Sequence, residues 1–100
     1  MHYTAESIQT MLCTRLLEER HGWLNKLHEN RPDKWWCDQR TEDLFVLTQW
    51  LIFIIPEGED RQRILWFFNR KTRASQDVFE IAAQAINQFY DGKIDNYQGR

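Results

Sequence analysis

Residues 44–55 read LFVLTQWLIFII, and only Thr48 and Gln49 interrupt an otherwise apolar run. Such a run suits a buried strand or a buried helix, and periodicity alone does not separate the two. The flanks favour a helix. Thr41 is a good N-cap, and Glu42 and Asp43 follow where carboxylates suit the positive end of the helix dipole. Pro56 then stops the element, with Gly58 close behind. A strand stays open for residues 51–55, LIFII, because β-formers dominate there. A helix over 42–55 is about 21 Å long at ~1.5 Å per residue. That is too short for a bilayer crossing, which takes about 20 apolar residues.

Drawn at ~100° per residue, this helix gathers Asp43, Leu47, Trp50, Leu51 and Ile54 on one side, with Val46 and Phe53 flanking. Thr41, Glu42, Thr48 and Gln49 mark the other side, yet Phe45 and Ile52 fall in its middle. A helix apolar nearly all round is expected to be wrapped by neighbours. The alternative is that Phe45 and Ile52 form a dimer patch, pairing with the same patch on a second copy.

Outward from this rod, the remaining segments read as amphipathic helices, which predicts an all-α, single-domain bundle of about four helices over residues 1–100. Residues 4–29 read as a first helix capped by Thr4, with Ala5, Ile8, Leu12, Leu16, Trp23 and Leu27 on one stripe and Cys13 and Leu24 at its edge. Gly22 costs about 1 kcal/mol inside a helix, so the segment is expected to be one long helix with a kink near His21–Gly22, or two helices meeting there. Residues 30–40, NRPDKWWCDQR, form a connection, because Pro32 pushes the residue before it out of the α region. Trp35 and Trp36 sit in it, either as a lid on the core edge or as an anchor for another protein.

After the Pro56–Gly58 turn, residues 60–71 read as a third helix with Ile64, Phe67, Phe68 and the stem of Lys71 on its inner face. Its other face places Trp66 among Arg63, Arg70 and Arg73, at i−3, i+4 and i+7. Guanidinium groups over an exposed indole contribute around 0.5–1 kcal/mol each. Ser75 is the expected cap of a fourth helix with Val78, Ala82, Ala85, Ile86 and Phe89 inward and Phe79, Ile81 and Tyr90 flanking. Gly92 is expected just past its end, Ile94 folds back over the last turn, and residues 95–100 read as a flexible C-terminal tail.

The chemistry-bearing residues converge on no motif. Gly22, Gly58, Gly92 and Gly99 are isolated, so no glycine-rich loop cradles a phosphate. Cys13, Cys37, His21 and His28 lack the C-x-x-C or H-x-x-x-H spacing of a zinc site. Cys37 lies among Arg31, Lys34 and Arg40 but has no histidine near it in sequence. The carboxylate pairs Glu18–Glu19, Glu42–Asp43 and Glu59–Asp60 read as solvated faces or helix starts. A non-enzyme with no cofactor and no metal is the expectation. Two cysteines and no secretory leader in MHYTAES point to the cytoplasm, and nothing points to a membrane.

No motif is specific enough to carry a family resemblance. Five Trp in 100 residues and the Trp66–arginine face suggest a small protein-binding module: an inhibitor, an immunity- or antitoxin-like protein, or an adaptor. Its contacts would be Arg63, Trp66, Arg70 and Arg73, then Trp35 and Trp36, against an acidic partner surface. Arg61, Arg63, Arg70, Lys71 and Arg73 also make nucleic acid an alternative partner, although a net charge of −2 weighs against it. A structural homodimer through Phe45 and Ile52 is the third possibility.

Overall fold

The chain is built from α-helices. The computed structural model describes residues 2–30, 38–72 and 77–91, and in them it shows five α-helices and no strand: α1 (Ala5–Thr14), α2 (Leu17–Asn30), α3 (Gln39–Ile54), α4 (Glu59–Lys71) and α5 (Val78–Tyr90). The all-α bundle follows the expectation, and residues 51–54 are helical rather than a strand.

The apolar helix starts earlier than its hydrophobic run suggests. Its N-cap is Asp38, whose carboxylate accepts the Thr41 N–H at 2.8 Å, so Thr41 lies inside the first turn and is not the cap. Asp38 is in extended backbone and carries charge, so it outcompetes a hydroxyl three residues later. At the other end Ile55 caps α3 and Pro56 prevents continuation. The α3–α4 turn depends on Gly58, the N-cap of α4, whose φ of 150° is closed to most L side chains.

The expected first helix is two helices, and the break is at Arg15–Leu16 instead of Gly22. Thr14 Oγ1 donates back to the Thr10 carbonyl at 2.6 Å, a contact that bends helices. The N–H groups of Arg15 and Leu16 then both fold back onto the Met11 carbonyl, at 2.9 and 3.1 Å. Gly22 continues α2 without interruption. Thr4 caps α1 as expected, in a reciprocal box with Ser7. The cap of α5 is Asp77, whose carboxylate accepts the Phe79 N–H at 2.9 Å; Ser75, Gly92, Ile94 and the tail over 95–100 lie outside the described residues.

One contiguous core joins four of the helices. α1 supplies Ile8 and Leu12, α3 supplies Val46, Leu47, Trp50 and Leu51, α4 supplies Ile64, Phe67 and Phe68, and α5 supplies Val78, Ile81, Ala82, Ala83, Ala85 and Ile86, while Phe89, expected inward, is half-buried at the core margin. Ile55, the C-cap of α3, completes it. The alanines of α5 let α1, α3 and α4 all pack against it, so α5 shares the central place with α3. Full burial of side chains such as Phe68 and Leu47 stabilises by roughly 1.5–3 kcal/mol each. Trp50 is sealed from solvent; its Nε1 has no hydrogen-bond partner among the described residues, and Tyr3 packs edge-on against its ring at 5.7 Å. Tyr3 is held by Asn87, whose side-chain amide donates to the Tyr3 carbonyl at 2.7 Å and accepts its N–H at 2.9 Å.

α2 stands apart from this arrangement. Among the described residues it packs on α3 and the end of α1 and reaches neither α4 nor α5. Its buried residue Leu27 is not part of the core cluster, and Trp23 and Leu24 are half-buried at its margin. The outer side of α3 is accordingly incompletely wrapped. Phe45 and Ile52 are half-buried, neither enclosed nor presented as an open patch. Phe53 is 55% exposed, resting edge-on against Trp23, and Ile54 is 37% exposed where full burial was expected, because α3 ends there.

Candidate interaction surface

The outward side of α4 carries the residues singled out in the sequence. The turn at Gly58 sets the register, placing Ile64, Phe67 and Phe68 inward and Arg63, Trp66 and Arg70 along the opposite side. Arg70 is exposed, and its guanidinium carbon lies 5.3 Å from the centroid of the Trp66 ring, within cation–π range. Trp66 is not fully outward as its spacing implied. It is half-buried and leans on the core margin, so its indole serves packing and surface at once. Arg63 is half-buried too, with Nη2 3.4 Å from the Glu59 carboxylate one turn back. Arg73, Trp35 and Trp36 lie outside the described residues.

The fold adds Arg40 to this end, a cation that the linear pattern did not group with Arg70 and Lys71. Lys71 Nζ sits 5.6 Å from the Phe67 ring centroid. Arg40, from the first turn of α3, donates to the Thr72 carbonyl at 2.9 Å, satisfying an orphan acceptor at the α4 C-terminus. Arg40, Arg70 and Lys71 thus surround the negative end of the α4 dipole, where cations stabilise. Thirty-two positions separate Arg40 from Thr72, so no local spacing rule connects them.

Arg61 departs from the basic-face reading. Its Nη1 lies 3.4 Å from the Ile52 carbonyl and its Nη2 3.9 Å from Glu57, with only 21% of the side chain exposed. It is turned in toward α3 and away from the Trp66 side. This removes one of the five cations counted toward a phosphate backbone.

The groups considered for chemistry stay dispersed. Cys13, at the edge of the expected stripe, is exposed, since α1 turns its Ile8–Leu12 edge inward. His21 is exposed, and His28 Nε2 lies 3.1 Å from Glu42 Oε2. Among the described residues no three of His, Cys, Asp and Glu converge as a metal site; Cys37 lies outside them. Among the described residues two carboxylates are perturbed, both at the start of α3. Hydrogen bonds from the Thr41 N–H and hydroxyl hold Asp38 below its ordinary range. Partial burial pushes Asp43 up, against a hydrogen bond from Gln39 that lowers it. No described helix is long and apolar enough to cross a membrane.

The sequence reading missed a second surface, at the opposite end of α4. There the α3–α4 turn and the end of α5 enclose a cleft of about 430 Å³ lined by Ile54, Pro56, Glu57, Asp60, Phe89 and Tyr90, among others. Tyr90, expected to flank the inner stripe of α5, is 71% exposed. Its place in the last turn was the available signal, since terminal residues of a stripe run past the neighbours that would cover them.

No family model, no curated protein and no solved structure matches this chain.

Proposed function

We propose that the chain is a small non-catalytic binding module of the cytoplasm that occludes an acidic surface of another protein, in the manner of an inhibitor, immunity or antitoxin protein, or adaptor. The observation that carries this reading is the Arg70–Trp66 stack on the outward side of α4, bordered by Lys71 and Arg40. An indole part-anchored in the core costs little entropy to present, and a guanidinium held over it is already oriented for a carboxylate. Arg63 extends the surface along the helix, and Arg73, Trp35 and Trp36 are its proposed continuation.

Arg70 is the position to test, because it is exposed and its removal leaves the core untouched. Wild-type protein and Arg70→Glu are immobilised and challenged with lysate of the native host, with equal thermal melts required first. Retention of a protein by the wild type and its loss from Arg70→Glu supports the reading. A protein retained equally by both places the contact elsewhere, and recovery of nucleic acid in its stead replaces this reading with the phosphate-binding one.

A further inference from the structure

We infer that the cleft between the α3–α4 turn and the end of α5 is a second docking site, for a basic amphipathic peptide segment of another protein. This site lies at the other end of α4 from the Arg70–Trp66 stack and is opposite to it in charge. Its floor is apolar: Ile54 and Tyr90 are 37% and 71% exposed, and both line the same cleft with Phe89. Single exposed apolar residues are ordinary on a protein surface, whereas convergence around one concavity marks a contact site. The Phe89 and Tyr90 rings meet edge-on at 5.4 Å, which gives the exposed phenol a fixed backing. The volume of about 430 Å³ falls in the range of ligand clefts.

The rim selects the occupant. The side chains of Glu57 and Glu59 are 90% and 69% exposed, while those of their partners Arg61 and Arg63 are 21% and 34% exposed. The carboxylates therefore stand outside, with the guanidinium groups beneath them. Asp60, exposed in the first turn of α4 and lining the same cleft, adds to the same sign. In both ion pairs, at 3.9 and 3.4 Å, the carboxylate is well exposed to water, so each contributes roughly 0–1 kcal/mol and an incoming cation can share the carboxylate at little cost. An acidic segment would meet repulsion here. A second copy placed by two-fold symmetry would set carboxylates against carboxylates. An aliphatic or aromatic anchor in the cleft, with Lys or Arg one turn to either side, satisfies both floor and rim.

The probe is a fluorescein-labelled amphipathic Leu/Lys peptide titrated against the full chain by anisotropy. Its controls are a scrambled peptide of the same composition and a Leu/Glu peptide. The patterned peptide is expected to bind, to weaken with salt, and to shift the amide resonances of residues 54–60 and 89–91. Tyr90→Ala and Glu57→Lys should each weaken it by about tenfold or more, whereas Arg70→Glu should leave it unchanged. Both variants change exposed positions, and melts confirm their fold; a variant that fails to fold leaves the resonance map of the wild type as the deciding measurement. Equal binding of the scrambled peptide, resonance shifts elsewhere, or affinity indifferent to Tyr90→Ala overturns the proposal.

Discussion

α2 and α5 are of similar length and are both amphipathic, yet they hold very different places in the bundle. α5 turns Val78, Ile81, Ala82, Ala83, Ala85 and Ile86 into the core and is packed by α1, α3 and α4. α2 buries Leu27 alone and rests on α3 and the end of α1. What separates them is both sequence and neighbours: α2 is rich in charged and polar residues with a thin apolar stripe, whereas α5 carries a broad apolar face and, among the described residues, is packed by three helices. A half-wrapped helix opens at lower free energy than a fully wrapped one, because few apolar contacts are lost when it lifts. The bundle therefore has a firm part, α1–α3–α4–α5, and a lighter appendage lying on the outer side of α3.

The contrast is tested most severely by deleting side chains from each part. Phe68→Ala, in the firm part, should cost about 3–5 kcal/mol, and Leu27→Ala about 2 kcal/mol. Urea denaturation measures both. Native-state hydrogen exchange should show α2 amides opening well below the global free energy while those of α5 open only with it. Equal losses, or α2 amides protected to the global limit, would remove the distinction.

The two described glycines give a smaller effect with opposite signs. A Cβ added at Gly22 meets nothing within 4 Å, so Gly22→Ala should stabilise α2 by about 0.5–1 kcal/mol. A Cβ at Gly58 also meets nothing within 4 Å, but its φ of +150° strains any other residue. Gly58→Ala should destabilise by about 1–3 kcal/mol. Thermal melts of the pair suffice, and a gain at Gly58 would show that the turn can be rebuilt.

The smallest expected effect concerns acid. Asp38 has its folded pKa lowered, so its contribution is present at neutral pH and is lost as pH falls through that folded value. Asp43 has its folded pKa raised, so its contribution is present at low pH and is lost as pH rises through that folded value. Acidification from neutrality should first relieve Asp43 and then release the Asp38 cap. Asp43→Asn should abolish the early gain and Asp38→Asn the late loss in denaturation midpoints followed across the acid range. Curves that superimpose on the wild type would contradict both assignments.

The helical class and the inward faces of α4 and α5 could be read from the sequence because their apolar residues recur at helical spacing and bounded runs end at Pro56 and Gly58. Caps were harder. Asp38 won over Thr41 because a carboxylate accepts backbone N–H groups more strongly than a hydroxyl, and Asp77 caps α5 in the same way. The α1–α2 break was assigned to Gly22 by propensity, while it falls at Arg15–Leu16, where both N–H groups fold back onto the Met11 carbonyl. Of the Trp66 surface, the Arg70 stack was evident at i+4. The approach of Arg40 to Thr72 depends on how helices distant in sequence end beside one another.

The clasp between Asn87 and Tyr3 joins positions 84 apart. At about 5–20 residues per second, a ribosome delivers α1 on the order of ten seconds before α5. Throughout that interval Ile8 and Leu12 have no α5 to cover them. The α1 side of the core therefore cannot close until α5 has been made.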